Sequence, residues 1–422
     1  MDISAEEFVN RILTKEASEQ PSDTKRPEDI EMELPEWFSE KKYNQGRRFY
    51  WDNCFAITSS MLLGLVAVFA VPSILRVLIS SRRSSTVYTA YRRYLSTVLH
   101  TVSWFENDLK PGSSSWRSLY TVRARHVRAG LAAKAKGVGT VSQRDLALTQ
   151  FGFLGFAVLK PDKFGITQMQ PGDWDAYVHF WRTIGHMIGL EDRYNICRDS
   201  FEETRRVCRV LLDRVFAPCL NSVPEYFEHM AHVMLDGMWC VNPTVNCDAL
   251  LYWTRHLAEV PGYVYTEAER GLFQRTLRER MRGQPEDVGF DSAALIQKAA
   301  LEGLSGQPKR LLYLRDYDTI ETVPEYKRLS FAAKYKLSLN NFLVGFYTTY
   351  IGRLYLNLNF LFSIILMKYF PYLAFFRFGI KASFVNIFTE DPIDNTEPKP
   401  NSEYYKPLPP STWYSDLASV LF

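Results

Sequence analysis

Residues 88–136, YTAYRRYLSTVLHTVSWFENDLKPGSSSWRSLYTVRARHVRAGLAAKAK, carry the strongest structural signal in the chain. Apolar residues recur three and four apart through 88–106 and again through 120–136, the spacing that lays one face of a helix on a core. Between them, Pro111-Gly112 and the serines 113–115 are residue types that stop a helix and turn the backbone. The stretch therefore reads as a helix, loop, helix unit. The same periodicity continues through 143–159, 173–190, 200–217, 225–238 and 248–257, joined by turns holding Gly, Pro and Asp. Strand-like alternation is scarce and no internal repeat occurs. Helices of roughly 10 to 20 residues with short connections define an all-α fold.

Composition agrees with a folded chain. Of the 422 residues, 46% are hydrophobic, 14% aromatic and 23% charged, which excludes a disordered or low-complexity protein. At about 150 residues per domain the length allows two or three units, or one large helical domain with appendages. The 50 basic and 47 acidic residues leave a net charge of +3, too small an excess for a nucleic-acid binder. The six cysteines, at 54, 197, 208, 219, 240 and 247, form no C-x-x-C. They offer neither a zinc ribbon nor a covalent haem attachment, are too sparse for a disulfide scaffold, and fit a reducing, intracellular compartment. The first residues, MDISAEEFVNRILTKEASEQPSD, place acids where a secretory signal would place a basic and then an apolar run.

The chain divides by character into 1–45, 46–285 and 286–422. The first part is polar, and its proline-containing stretch 20–37 suggests a short amphipathic helix followed by an extended lead-in. Residues 54–75, CFAITSSMLLGLVAVFAVPSIL, hold no charge and are about as long as a bilayer requires. Pro72, Ser59 and Ser60 favour a buried core helix, and a membrane span is the alternative. Residues 340–380 are densely apolar but interrupted by Arg353, Lys368, Pro371 and Arg377. They read either as an interfacial or re-entrant hairpin with snorkelling cations, or as a docking surface for the rest of the protein. The proline- and tyrosine-rich tail beyond Thr389 is assigned no role.

Common catalytic motifs are absent: no G-x-x-x-x-G-K-[ST], G-x-S-x-G, H-E-x-x-H or strand-borne G-x-G-x-x-G occurs. All seven histidines lie on predicted helices, where an all-α protein holds a haem or a metal. His229 and His232, with Glu225 and Glu228 one turn earlier, could face a metal or simply form ion pairs; the carboxylate precedes each histidine by four rather than the three of di-iron bundles. His179 and His186 share a face among Trp174, Tyr177, Trp181, Gly185 and Gly189, a setting for tight packing. His126, in TVRARHVRAGLAAK, pairs a single imidazole with an apolar helix and with Arg123, Arg125 and Arg128. A b-type haem asks for one nitrogen ligand, apolar walls and cations for its propionates. On these residues alone, a helix-surface histidine is the alternative.

Three segments add a resemblance. Arg93-x-x-x-Thr97 is followed, 29 residues after Arg93, by Val122-Arg123-x-x-His126. Gln143-x-Asp145-x-x-x-Thr149-x-Phe151 opens the next helix. Tyr177-x-His179-x-Trp181-Arg182-x-x-Gly185-x-x-x-Gly189 lies further on. In order and spacing these resemble the latex-clearing proteins (rubber oxygenases) and the fungal endoplasmic-reticulum oxygenases that cleave a farnesyl chain, over roughly residues 50 to 260.

The resemblance implies a globin-like helical core with additional helices, holding non-covalent haem b with His126 as the iron ligand. It places Arg93 and Thr97 on the distal side as catalytic residues, where a guanidinium and a hydroxyl would hydrogen-bond dioxygen. Arg123, Arg125 and Arg128 are the expected cofactor-binding cations. Two positions depart from the family. The lysine that precedes the distal threonine in some rubber oxygenases is Ser96 here, so the closed state it creates is not expected. The glutamate those enzymes use as a base has no counterpart, because no Asp or Glu occurs between Asn53 and Phe105. The expected function is a haem-dependent dioxygenase oxidising or cleaving a C=C bond of a lipophilic, isoprenoid-like substrate. A haem carrier or sensor without turnover, and a membrane-associated helical interaction protein, are the rival expectations. The partners are a hydrophobic small molecule and dioxygen, and the location is an intracellular membrane such as the endoplasmic reticulum, or else the cytoplasm.

Overall fold

The computed structural model describes residues 3–296 and 310–405. In chain order the helices are α1 (Ala5–Ile12), α2 (Lys15–Glu19), α3 (Glu40–Asp52), α4 (Cys54–Phe69), α5 (Pro72–Ser80), α6 (Val87–Glu106), α7 (Ser114–Ala135), α8 (Gln143–Leu159) and α9 (Asp173–Met187). They continue with α10 (Phe201–Leu211), α11 (Ala217–Asn221), α12 (Phe227–Trp239), α13 (Cys247–Leu257), α14 (Glu267–Arg280), α15 (Pro324–Lys327), α16 (Phe331–Tyr347), α17 (Tyr350–Tyr369), α18 (Tyr372–Phe378) and α19 (Ile380–Ser383). The fold is all-α. Among the described residues, strands are limited to one two-residue antiparallel pair, Phe290–Asp291 with Leu311–Leu312.

One apolar cluster runs from Phe8 to Ala374 and draws on all three stretches distinguished in the sequence. The polar N-terminal part is thus tied down, with Phe8, Val9 and Ile12 of α1 buried. Its core is a crossing of α4 and α8, two helices without a polar stripe, at Gly64 and Gly152. A Cβ on Gly64 would lie 1.9 Å from the Gly152 carbonyl, so the backbones touch where neither helix carries a side chain. A second close approach seats α6: a Cβ on Gly237 of α12 would lie 2.8 Å from the backbone nitrogen of Tyr91.

Several sequence boundaries shift for visible reasons. The serines of 113–115 do not form the connection. Ser113 caps α7 by accepting from Trp116 N, a cap worth about 1 kcal/mol, and Ser115 is buried inside the helix. The charge-free stretch 54–75 is two helices, broken at Val71 before Pro72, and α4 is packed within the core. Helix α3 meets α4 at 93°. The stretch 200–217 ends in a π-helical turn, Leu212–Phe216, because Pro218 cannot supply the amide that an α-helical continuation needs.

The apolar C-terminal region forms α16–α19. Helix α17 is long and apolar enough to cross a membrane by length and composition, yet one side is fastened to the domain along its length. Arg353 donates to Asn53 Oδ1 and the Gly165 carbonyl, Asn357 Nδ2 donates to the Asp52 carbonyl, and Lys368 pairs with Glu106.

Candidate functional site

Helices α6 and α7 run antiparallel, and small hydroxyls let them approach. Ser115 Oγ donates to the Ser103 carbonyl (2.9 Å), His100 Nδ1 and Ser118 Oγ lie 2.7 Å apart, and Trp104 Nε1 donates to the same hydroxyl at 2.8 Å. Residue 103 is thereby set against 115 and 100 against 118. Two further turns of that register set Arg93 opposite 125 and 126. The helical repeat therefore brings Arg93 beside His126, though 29 positions separate Arg93 from Val122, where the second motif begins, and Thr97 follows one turn along α6.

The chemistry there is unusual for an interior. His126 Nδ1 is buried without a hydrogen-bond partner. Burial, then the guanidiniums of Arg93 and Arg125, push its pKa down to about 4, so the imidazole is neutral at pH 7 and its nitrogen lone pair is free. Arg93 is half-buried and donates to Ser81 Oγ at 3.0 Å, with no ion pair among the described residues. Thr97 Oγ1 donates to the Arg93 carbonyl at 3.1 Å, which fixes its rotamer beside the arginine. Ser96, at the lysine position of some relatives, is buried with its hydroxyl unpartnered.

Of the three expected cofactor-binding cations, the structure gathers one. Arg125 contacts His100 Nε2 at 3.3 Å and the carbonyls of Ile387 and Thr389. Arg123 instead pairs with Asp23 at 2.6 Å, and Arg128 reaches toward Glu390 at 3.9 Å. Arg123 lies about 200° around α7 from Arg125, whereas Arg128, three residues further on, shares the side of Arg125, and both lie near Glu390. An open cleft of about 430 Å³ lined by Ile30, Trp116, Arg117 and Phe388 lies elsewhere on α7. Arg117 precedes His126 by nine residues and so sits on the opposite face.

The tail, assigned no role from its sequence, crosses this hairpin as a strap. Arg92 donates to the Phe384 carbonyl (2.9 Å), Arg83 pairs with Glu390 (2.6 Å) and donates to the Asp391 carbonyl, and Asp394 N donates to the Arg82 carbonyl (2.8 Å). Glu390 and Asp391 thus bring negative charge to a part of the molecule whose own helices supply none between Asn53 and Phe105, and both act on Arg125. The signal that could have found them is the run EDPID at 390–394, following 64 residues without an acid.

The other motif residues are scaffold. Gln143 spans from α8 to the end of α9, donating to the Gly189 carbonyl (2.9 Å) and accepting from Glu191 N (2.9 Å). Asp145 closes a capping box with Ser142 and accepts from Ser73 on α5. His179 Nε2 accepts from Ser39 N at 3.0 Å, and a Cβ on Gly185 would strike Gln150. Two of the three motifs are therefore joined physically. The residues weighed for a second metal site are each engaged elsewhere: His229 with Tyr404 and the Ser85 carbonyl, Glu228 with Arg255, Glu225 with Asn401 N, and His232 near Asp248. Among the described residues no group of three or more His, Cys, Asp and Glu is placed to hold a metal ion.

These features define an all-α protein whose central hairpin holds a neutral imidazole with a buried, unpartnered Nδ1 beside a guanidinium that has no ion pair among the described residues. The family described as "ER-bound oxygenase mpaB/B'/Rubber oxygenase, catalytic domain" matches residues 47–294, and the chain belongs to it. A solved structure titled "Structure of Latex Clearing Protein LCP in the closed state" is similar at 16% identity and a TM-score of 0.44, over 79% of this chain and 84% of that one. No curated protein matches.

Proposed function

We propose that the chain is a haem b-dependent oxygenase that oxidises or cleaves a C=C bond of a lipophilic, isoprenoid-like substrate at an intracellular membrane. The observation that carries this reading is the buried, unpartnered Nδ1 of a neutral His126 opposite an Arg93 that no carboxylate among the described residues neutralises. Leaving such groups unpaired costs about 1–3 kcal/mol each, and a bound group that used them would offset that cost. His126 would hold the iron non-covalently, with Arg125 available to a propionate. When bound, the haem would supply redox chemistry with dioxygen that no side chain here can supply.

The chain's own residues have separable tasks. Arg93, bonded to Ser81 Oγ and to no carboxylate among the described residues, would offer its remaining guanidinium N–H donors to developing negative charge. Thr97 keeps a hydroxyl lone pair beside them. Ser96 leaves room that a lysine would fill. Membership in a family described as ER-bound supports a membrane location, as does the apolar face of α16–α19.

The absence of an acid between Asn53 and Phe105 favours one rival, a haem carrier or sensor without turnover. Incubation with isoprenoid alkenes under labelled dioxygen decides between them. Label in a carbonyl product of the wild type, formed about 100-fold more slowly by Arg93→Ala, is expected; haem binding with no product from any alkene would favour the carrier.

A further inference from the structure

We infer that α16–α19 form a flat docking face that enters an anionic lipid bilayer sideways, parallel to its plane, without crossing it. This deepens the proposed action on a lipophilic substrate and rests on it for its purpose, while its structural basis is separate. Helix α17 is about 30 Å long and shows a stripe at Ile351, Leu354, Leu358, Phe362, Ile365 and Tyr369, each more than half exposed. No charge lies on it: Arg353 is turned inward and buried, and Lys368 is bound to Glu106. Phe376 of α18, 89% exposed, and Ile380 of α19, 69% exposed, extend the surface. A contiguous apolar patch of this kind on a folded domain marks an interaction site.

The occupant follows from charge and geometry. Eight of the chain's 50 basic residues and none of its 47 acidic residues fall between 326 and 389; Arg353 is buried, Arg328 pairs with Glu325 and Lys368 with Glu106, which leaves five cations of this region without an ion pair among the described residues. A second copy would bring the same positive region against the first. An anionic lipid surface is complementary to it, and each lysine or arginine near such a surface adds roughly 1 kcal/mol. Tyr350 and Tyr369 end the helix with phenols, whose amphipathic rings sit at the headgroup level. Because the opposite side of α17 is fastened to the domain at Arg353, Asn357 and Lys368, lipid can reach only one face. A helix held in that way lies in the interface.

The test is flotation of the full-length protein with phosphatidylcholine vesicles, with and without phosphatidylserine. Wild type is expected to float with the anionic vesicles and at least about tenfold less with the neutral ones. Leu358→Ser/Phe362→Ser/Phe376→Ser should abolish flotation while keeping its melting temperature and haem absorbance, and Leu272→Ser, at an equally exposed site on α14, should float as wild type. His126→Leu should also float, so failure of the haem reading and failure of this one give different results. Fluorophores introduced at 350 and 369 should be quenched equally by iodide on the outer side of the vesicles. Flotation of the triple variant, failure of wild type to float, quenching of only one fluorophore, or a wild-type dimer that the triple variant dissolves would each overturn the proposal.

Discussion

Two histidines with interior ring nitrogens, His126 on α7 and His229 on α12, stand in opposite hydrogen-bond situations. His229 bonds through both ring nitrogens, to Tyr404 Oη and the Ser85 carbonyl at 2.8 Å each. Its neighbour Glu228 is paired with Arg255 and accepts from Tyr405 at 3.1 Å. At His126, Nδ1 is bare and the neighbouring Arg93 has no ion pair among the described residues; on the same hairpin the Ser96 hydroxyl is bare. Burial alone therefore separates nothing, since both clusters are interior. Satisfaction does: the α12 cluster is complete as folded, whereas the α6–α7 hairpin keeps donors and a lone pair in reserve.

The largest effect that sharpens this contrast is on stability. Glu228→Ala leaves the Arg255 guanidinium buried alone and should cost about 3–5 kcal/mol in urea denaturation, with haem bound per folded molecule unchanged. A loss below 1 kcal/mol would show that the α12 cluster is not a structural tie. Next comes Arg93→Ala, expected to retain haem but slow oxygen turnover about 100-fold, the scale for losing one preorganised donor. Unaltered turnover would remove Arg93 from the chemistry.

A pH dependence follows. His100, His126 and His179 are each pushed down to about 4, chiefly by burial, from an ordinary value of 6.5. The unfolded chain therefore binds more protons than the folded one between pH 6.5 and 4. Their contribution is whole above pH 6.5 and is lost as pH falls toward 4, at up to about 1.4 kcal/mol per pH unit for each histidine. His126→Leu should make the pH 6 to pH 5 loss of apo-protein stability smaller by about that amount; an unchanged slope would contradict a buried neutral His126. The smallest effect is that variant's stability at pH 7, expected within about 1 kcal/mol of wild type because it removes an unpaired polar atom along with the ring.

Much of the helical order was legible because amphipathic spacing and capping are local. Residues 143–159 match α8 end for end, since Ser142 and Asp145 form a capping box visible in four letters. The break of 54–75 at Val71 was only hinted at by Pro72, and the burial of α4 depends on Gly152, nearly 90 positions away. His126, Arg93 and Thr97 could be singled out by motif spacing, and the antiparallel register then sets Arg93 and His126 opposite each other. Residue type does not say which face of α7 each arginine near His126 occupies: Arg123 pairs with Asp23, while Arg125 turns toward the strap. The strap that carries Glu390 and Asp391 was illegible for a related reason. Its hold on Arg83, Arg92 and Arg125 joins residues 307, 292 and 262 positions apart, and no local pattern encodes that.

The most direct test is the absorption spectrum of haem-supplemented wild type beside His126→Leu and His229→Leu. A stoichiometric haem band in wild type and His229→Leu, lost in His126→Leu while its helical content is kept, is the predicted result. A band that survives in His126→Leu with an unchanged spectrum, or is lost equally in both variants, would contradict the assignment of His126 as the haem ligand.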